Sequence, residues 1–167
     1  MIIINKRNLF FLISVWLLST LLSAQNVTIS TPHTQLLLSV PNGGTPEQLY
    51  YGSRTSDADI RSICETARRR NAYPVYGMGY PCETALSVRH ADGNLTLQMA
   101  VIGVKETRLT KENATLTVIE LKDKVYPFFV NICYKAWQDA DVIETWTEIR
   151  HEEKKPVQLQ QFASAYL

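Results

Sequence analysis

At 167 residues, with 46% hydrophobic and 20% charged residues, the chain holds one globular domain's worth of material. A formal net charge of +1 singles out no charged partner, and the absence of a basic face or an aromatic-plus-basic motif argues against nucleic-acid binding. Three cysteines, Cys64, Cys82 and Cys133, are too few and too scattered for a disulfide framework or a metal-binding spacing.

Residues 1–24 have the organisation of a signal peptide. Lys6 and Arg7 give a basic start, Leu9–Leu22 an apolar run, and Leu22-Ser23-Ala24 a small-residue end before Gln25. The run falls short of the roughly 20 residues that span a bilayer, so cleavage after Ala24 is expected rather than a stable membrane anchor. The product would be exported, to the periplasm or beyond, as Gln25–Leu167.

Gln35–Val40 is a short apolar strand closed by Pro41-Asn42-Gly43-Gly44, a strong turn signal, and Leu49–Tyr51 continues as a second strand. Ser53–Asn71 is polar. It places Ile60, Ile63, Cys64 and Ala67 at helical spacing behind Ser56 and Asp57 as caps, so it reads as a short helix or a long exposed loop. The Arg68–Arg70 triplet reads as a solvated surface. Tyr73–Pro81 carries two prolines, two glycines and three tyrosines, giving an irregular amphipathic surface or a turn packed over the end of a sheet.

From Ala85 onward the pattern is β. Ala85–His90 is a strand, Asp92-Gly93 a turn of the hairpin-favouring class, and Leu95–Lys105 an alternating strand. Thr115–Leu121 follows. Tyr126–Ala136 is the strongest strand, with Tyr126, Phe128, Val130, Ile132, Tyr134 and Ala136 on the face that must be interior. Val142–Arg150 alternates Glu144, Trp146 and Glu148 against Ile143, Thr145, Thr147 and Ile149. A polar stretch, His151–Pro156, reads as a solvated hairpin turn leading to a partner strand over Val157–Ala163. About eight strands at this spacing predict an all-β fold, an antiparallel β-sandwich.

Chemistry is sparse. No nucleophile elbow, zinc-protease, P-loop or dinucleotide fingerprint occurs, and no metal or cofactor is implied. His33, His90 and His151 are isolated in sequence and read as structural or solvated. Glu144 and Glu148 share a strand face, but positions i and i+4 lie roughly 13 Å apart, against the ~5–5.5 Å of a retaining glycosidase pair.

The residue strings themselves go further. Tyr73–Gly77 (YPVYG), Ala85–Asn94 (ALSVRHADGN), the strand opening at Tyr126-Pro127, Asp141–Ile149 (DVIETWTEI) and Lys154–Val157 (KKPV) resemble, in this order, the N-terminal region of glycoside hydrolase family 36 α-galactosidases. The resemblance covers about Leu36–Leu167. It implies a β-sandwich of the β-supersandwich type placed ahead of a catalytic (β/α)8 barrel. It further implies that the hydrolysis of terminal α-galactosides, by two barrel aspartates, belongs to a parent enzyme of which this chain is a fragment without catalytic residues of its own. Expected partners are that barrel, α-galactosides through the parent, and further copies in a homo-oligomer. In some members an acidic residue of the polar N-terminal loop reaches the galactose site; Asp57 and Asp59 are the corresponding substrate-binding candidates here. The alternative is a free-standing carbohydrate-binding β-sandwich that stacks sugars on Tyr73, Tyr76, Tyr80, Trp137 and Trp146.

Overall fold

The computed structural model describes residues 24–166. The signal-peptide reading therefore falls, but for Ala24, outside the described residues. Ala24 itself opens the first strand.

Among the described residues ten strands and one α-helix follow in chain order: β1 (Ala24–Ser30), β2 (Thr34–Pro41), β3 (Glu47–Ser53), α1 (Asp57–Thr66), β4 (Arg70–Asn71), β5 (Leu86–Arg89), β6 (Met99–Leu109), β7 (Ala114–Asp123), β8 (Phe128–Trp137), β9 (Val142–His151) and β10 (Gln158–Phe162). A 3-10 turn, Thr110–Glu112, joins β6 to β7, and Asn113 closes it in the left-handed region at φ 44°. The strands form two four-stranded antiparallel sheets, β1-β2-β3-β4 and β6-β7-β8-β9, and a two-stranded ribbon, β10-β5. Their apolar faces meet in one core. Val27, Ile29, Leu36, Leu38 and Val40 come from the first sheet, Leu86 and Val88 from the ribbon, and Val101, Ile119, Leu121, Phe128, Val130 and Ile132 from the second. The fold is thus an all-β sandwich, as the alternation demanded.

β8 behaves as its sequence requires. Phe128, Val130, Ile132, Tyr134 and Ala136 are all buried. Its reverse face pairs outward residues in register, with Cys133 opposite Trp146 and Asn131 opposite Glu148. Burial pushes the Cys133 thiol up to about 11, so it stays protonated at neutral pH.

β2 is buried on both faces, including Gln35, Leu37 and Ser39. The polar segment after β3 explains this. It turns back across the outside of the first sheet, where the Thr55 N–H and hydroxyl donate to Gln35 Oε1 at 3.0 and 2.8 Å and Arg69 donates to Ser39 Oγ at 3.1 Å. Buried polar groups need such partners.

Two expectations fail. β9 and β10 are not a hairpin: β9 pairs with β8, and β10 pairs with β5. His151–Pro156 is therefore a crossover between sheets and not a hairpin turn; it is solvated as read except at Glu153, whose side chain is only 7% exposed. Nor does the Asp92-Gly93 turn join paired strands. The turn forms, with His90 N–H donating to Asn94 O at 2.8 Å, but Leu97 N–H then donates to Tyr76 O and Gln98 N–H to Asp123 Oδ2. Those bonds hold Leu95–Gln98 outside the ladder, and β6 begins only at Met99.

The β8–β9 turn carries a tie to the other sheet. Asp141, at φ 53°, accepts hydrogen bonds from the Thr31 hydroxyl and the His33 N–H. These bonds, the Thr31 hydroxyl first, hold its carboxyl below the ordinary value of 3.8. A depressed carboxyl stabilises the fold above its unfolded pKa and loses that contribution as pH falls through the folded value. The melting-temperature gap between wild type and Asp141→Asn should accordingly be present at pH 7 and close in titrations carried below the ordinary carboxylate range. A gap that persists unchanged into strong acid would exclude the ionised tie.

Candidate functional site

The sequence placed its substrate-binding candidates in the polar segment, and the structure puts both on the first turn of α1. Ser56 is the N-cap, and Asp59 closes a capping box with it. The Ser56 Oγ accepts from the Asp59 N–H, while the Asp59 carboxylate accepts from the Ser56 hydroxyl at 2.7 Å and its backbone N–H at 3.4 Å. Asp59 is thereby committed to holding the helix. Asp57 is exposed at the first helical position, where a negative charge favours the helix dipole. α1 buries none of its own residues.

Several other acidic side chains are engaged. Asp123, buried, accepts from the backbone N–H groups of Gln98, Val125 and Tyr126 and so shapes the loop into β8. Glu144 accepts from Trp137 Nε1 at 3.0 Å, and Glu148 accepts from Asn131 and from Trp146 Nε1. Glu144 and Glu148 thus serve separate neighbours on the outer face of the second sheet. Among the described residues no group of His, Cys, Asp and Glu could hold a metal ion.

His90 is structural, as read, but through contacts no local pattern announces. Its ring is fully buried, stacked on Tyr126 with centroids 3.7 Å apart and edge-on to Phe128. Nδ1 lies 2.7 Å from Glu153 Oε1, and Glu153 Oε2 accepts the Ala91 N–H at 3.0 Å. On the rim, the Tyr126 hydroxyl donates to Asp92, whose carboxyl is lowered chiefly by the Asn94 N–H and then by this phenol.

The aromatic residues proposed for sugar stacking do not gather on one platform. Tyr73 is buried and donates to Ala163 O. Trp137 carries Lys135 Nζ 3.8 Å over its ring, and Trp146 sits half-buried, four register positions away on the same outer face. Because that face is away from the core, Trp146→Ala should change the chain's stability by less than ~1 kcal/mol in urea titration. A loss of ~3 kcal/mol or more, the range for core aromatics, would put the indole in the core instead.

The described residues form a β-sandwich of two four-stranded sheets and a two-stranded ribbon. Residues 44–167 match the model of the glycosyl hydrolase family 36 N-terminal domain, and the chain belongs to that family. Solved structures of similar fold include an α-galactosidase from Lactobacillus brevis, with TM-score 0.72, 16% identity, and coverage of 85% of this chain and 23% of that one. A variant of the family 36 α-galactosidase AgaA from Geobacillus stearothermophilus, in complex with raffinose, gives TM-score 0.74 and 15% identity over 84% of this chain and 24% of its own. The galactosidase domain of the α-galactosidase–sucrose kinase AgaSK gives 0.70 and 21%, covering 83% and 24%. The chain thus spans about a quarter of the length of these proteins. No curated protein matches it in sequence.

Proposed function

We propose that the chain is the N-terminal, non-catalytic domain of an exported α-galactosidase and serves as a structural and assembly module for a catalytic barrel. The family match over residues 44–167, with alignment to only a quarter of each α-galactosidase, is the observation that carries the reading. The basic start and short apolar run before Gln25 support export. In the parent, Asp57 is the better candidate to reach a galactoside, because Asp59 is engaged in the helix cap. Retaining hydrolysis needs two carboxyls about 5–5.5 Å apart, and the strand-face pair Glu144 and Glu148 is spaced too widely for that.

The test is activity. Purified Gln25–Leu167 should release no aryl leaving group from an α-galactoside above a buffer blank, and a polypeptide that carries the same domain joined to a family barrel should do so. Turnover by the short chain, abolished by substituting one of its own acids, would overturn the reading.

A further inference from the structure

Beside α1, where the covering segment returns to the first sheet, a groove runs across the surface. It consists of two adjoining recesses of about 390 and 550 Å³ that share Gln48, Arg68 and Arg70 in their walls. Each is of the size that holds small ligands. Tyr80 and Tyr166 stand at one end, their rings edge to face with centroids 6.2 Å apart. Tyr51, 56% exposed, stands at the other.

The walls are rich in donors and hold no Asp or Glu. Arg69 is turned to Glu47 at 2.9 Å, whereas Arg68 and Arg70 form no ion pair among the described residues. The Asn71 carbonyl accepts the Tyr73 N–H, which leaves its NH2 group without a partner among those residues, and the Gln48 amide is likewise unpartnered there. Guanidinium groups match planar carboxylates in a bidentate geometry. Amide donors suit hydroxyl oxygens, and phenol rings offer an apolar face with a polar tip. A ligand that presents a carboxylate between hydroxylated rings answers all three features together.

We propose that this groove binds a short acidic oligosaccharide, the carboxylate of a uronic acid unit held by Arg68 and Arg70 and the neighbouring rings resting on Tyr51 and on Tyr80 with Tyr166. The assignment goes beyond the accessory-domain reading and does not depend on it. A peptide rich in acids would satisfy the arginines, but it has less use for tyrosines at both ends and free amides between them.

Cys82 lines the groove and is exposed, so its alkylation by a maleimide reports occupancy. In a chain carrying Cys64→Ser, millimolar trigalacturonate should slow Cys82 labelling, and its fully methyl-esterified form, with the same rings and no charge, should not. Added salt should weaken the protection. Arg68→Gln combined with Arg70→Gln should weaken binding roughly tenfold or more, with the melting temperature and the unliganded labelling rate unchanged. Arg108→Gln, on β6, should leave protection intact. No protection by trigalacturonate, equal protection by the ester, or protection that survives the double substitution would each overturn the proposal. Equal protection by triglutamate would overturn it in favour of an acidic polypeptide surface.

Discussion

Replacing Glu153 by alanine should destabilise the chain by about 2 kcal/mol or more, because it leaves buried hydrogen-bonding groups unpaired at roughly 1–3 kcal/mol each. Glu153 is 7% exposed and faces a fully buried His90 ring at 2.7 Å. Its other oxygen is the acceptor for the Ala91 N–H. Removing the side-chain carboxyl strands two groups at once, the Ala91 N–H and His90 Nδ1. His90 Nε2 is already buried without a partner, so the ring has no second bond to fall back on. Glu153→Gln keeps an acceptor and should lose less. Urea midpoints for the two variants check the order, with unchanged m-values showing that stability alone has moved. A loss under ~1 kcal/mol for Glu153→Ala, the level of a surface pair, would show that the pair is solvated.

Phe128→Ala should fall in the range of about 3–5 kcal/mol for a buried aromatic truncation. Phe128 is 0% exposed and sits at the start of β8, edge-on to His90. Both substitutions touch the same imidazole, so their combined effect should depart from the sum by ~0.5 kcal/mol or more. Additivity within error would mean that His90 does not couple them. The contrast with Trp146→Ala tests the sandwich itself: one aromatic faces the core and the other faces away, on adjacent strands of one sheet.

The alternation in β8 was legible because each strand residue declares its own face, and every inward position it named is buried apart from Tyr126, which is half-buried. The start of α1 was legible in part: Ser56 is the N-cap as read, whereas Asp57 is the first helical residue and the capping partner is Asp59. Pairing was not. A charged run between two strands is the pattern of a hairpin turn, and nothing in His151–Pro156 states that β10 will lie beside β5. Glu153 belongs to that run and looks solvated until His90, far away in sequence, is brought against it. β1 was not legible, because only Val27 and Ile29 alternate with Asn26, Thr28 and Ser30, too short an apolar pattern to declare a strand. The groove shows the same limit: the arginine triplet reads as a solvated surface until tyrosines from three other segments are folded beside it.

The pairing of β5 with β10 also bears on how the protein is made. During synthesis β5 emerges about seventy residues ahead of its partner, an interval of roughly 4–14 s at ordinary elongation rates. Until β10 arrives, the ribbon is a single strand whose Leu86 and Val88, both 0% exposed in the finished domain, lack the neighbour that covers one edge. Closing so long a loop is slow. The nascent chain therefore presents an apolar edge to chaperones for seconds, and ribosome-bound chains stalled before Gln158 should remain protease-sensitive at β5 while those stalled well beyond Phe162 become resistant.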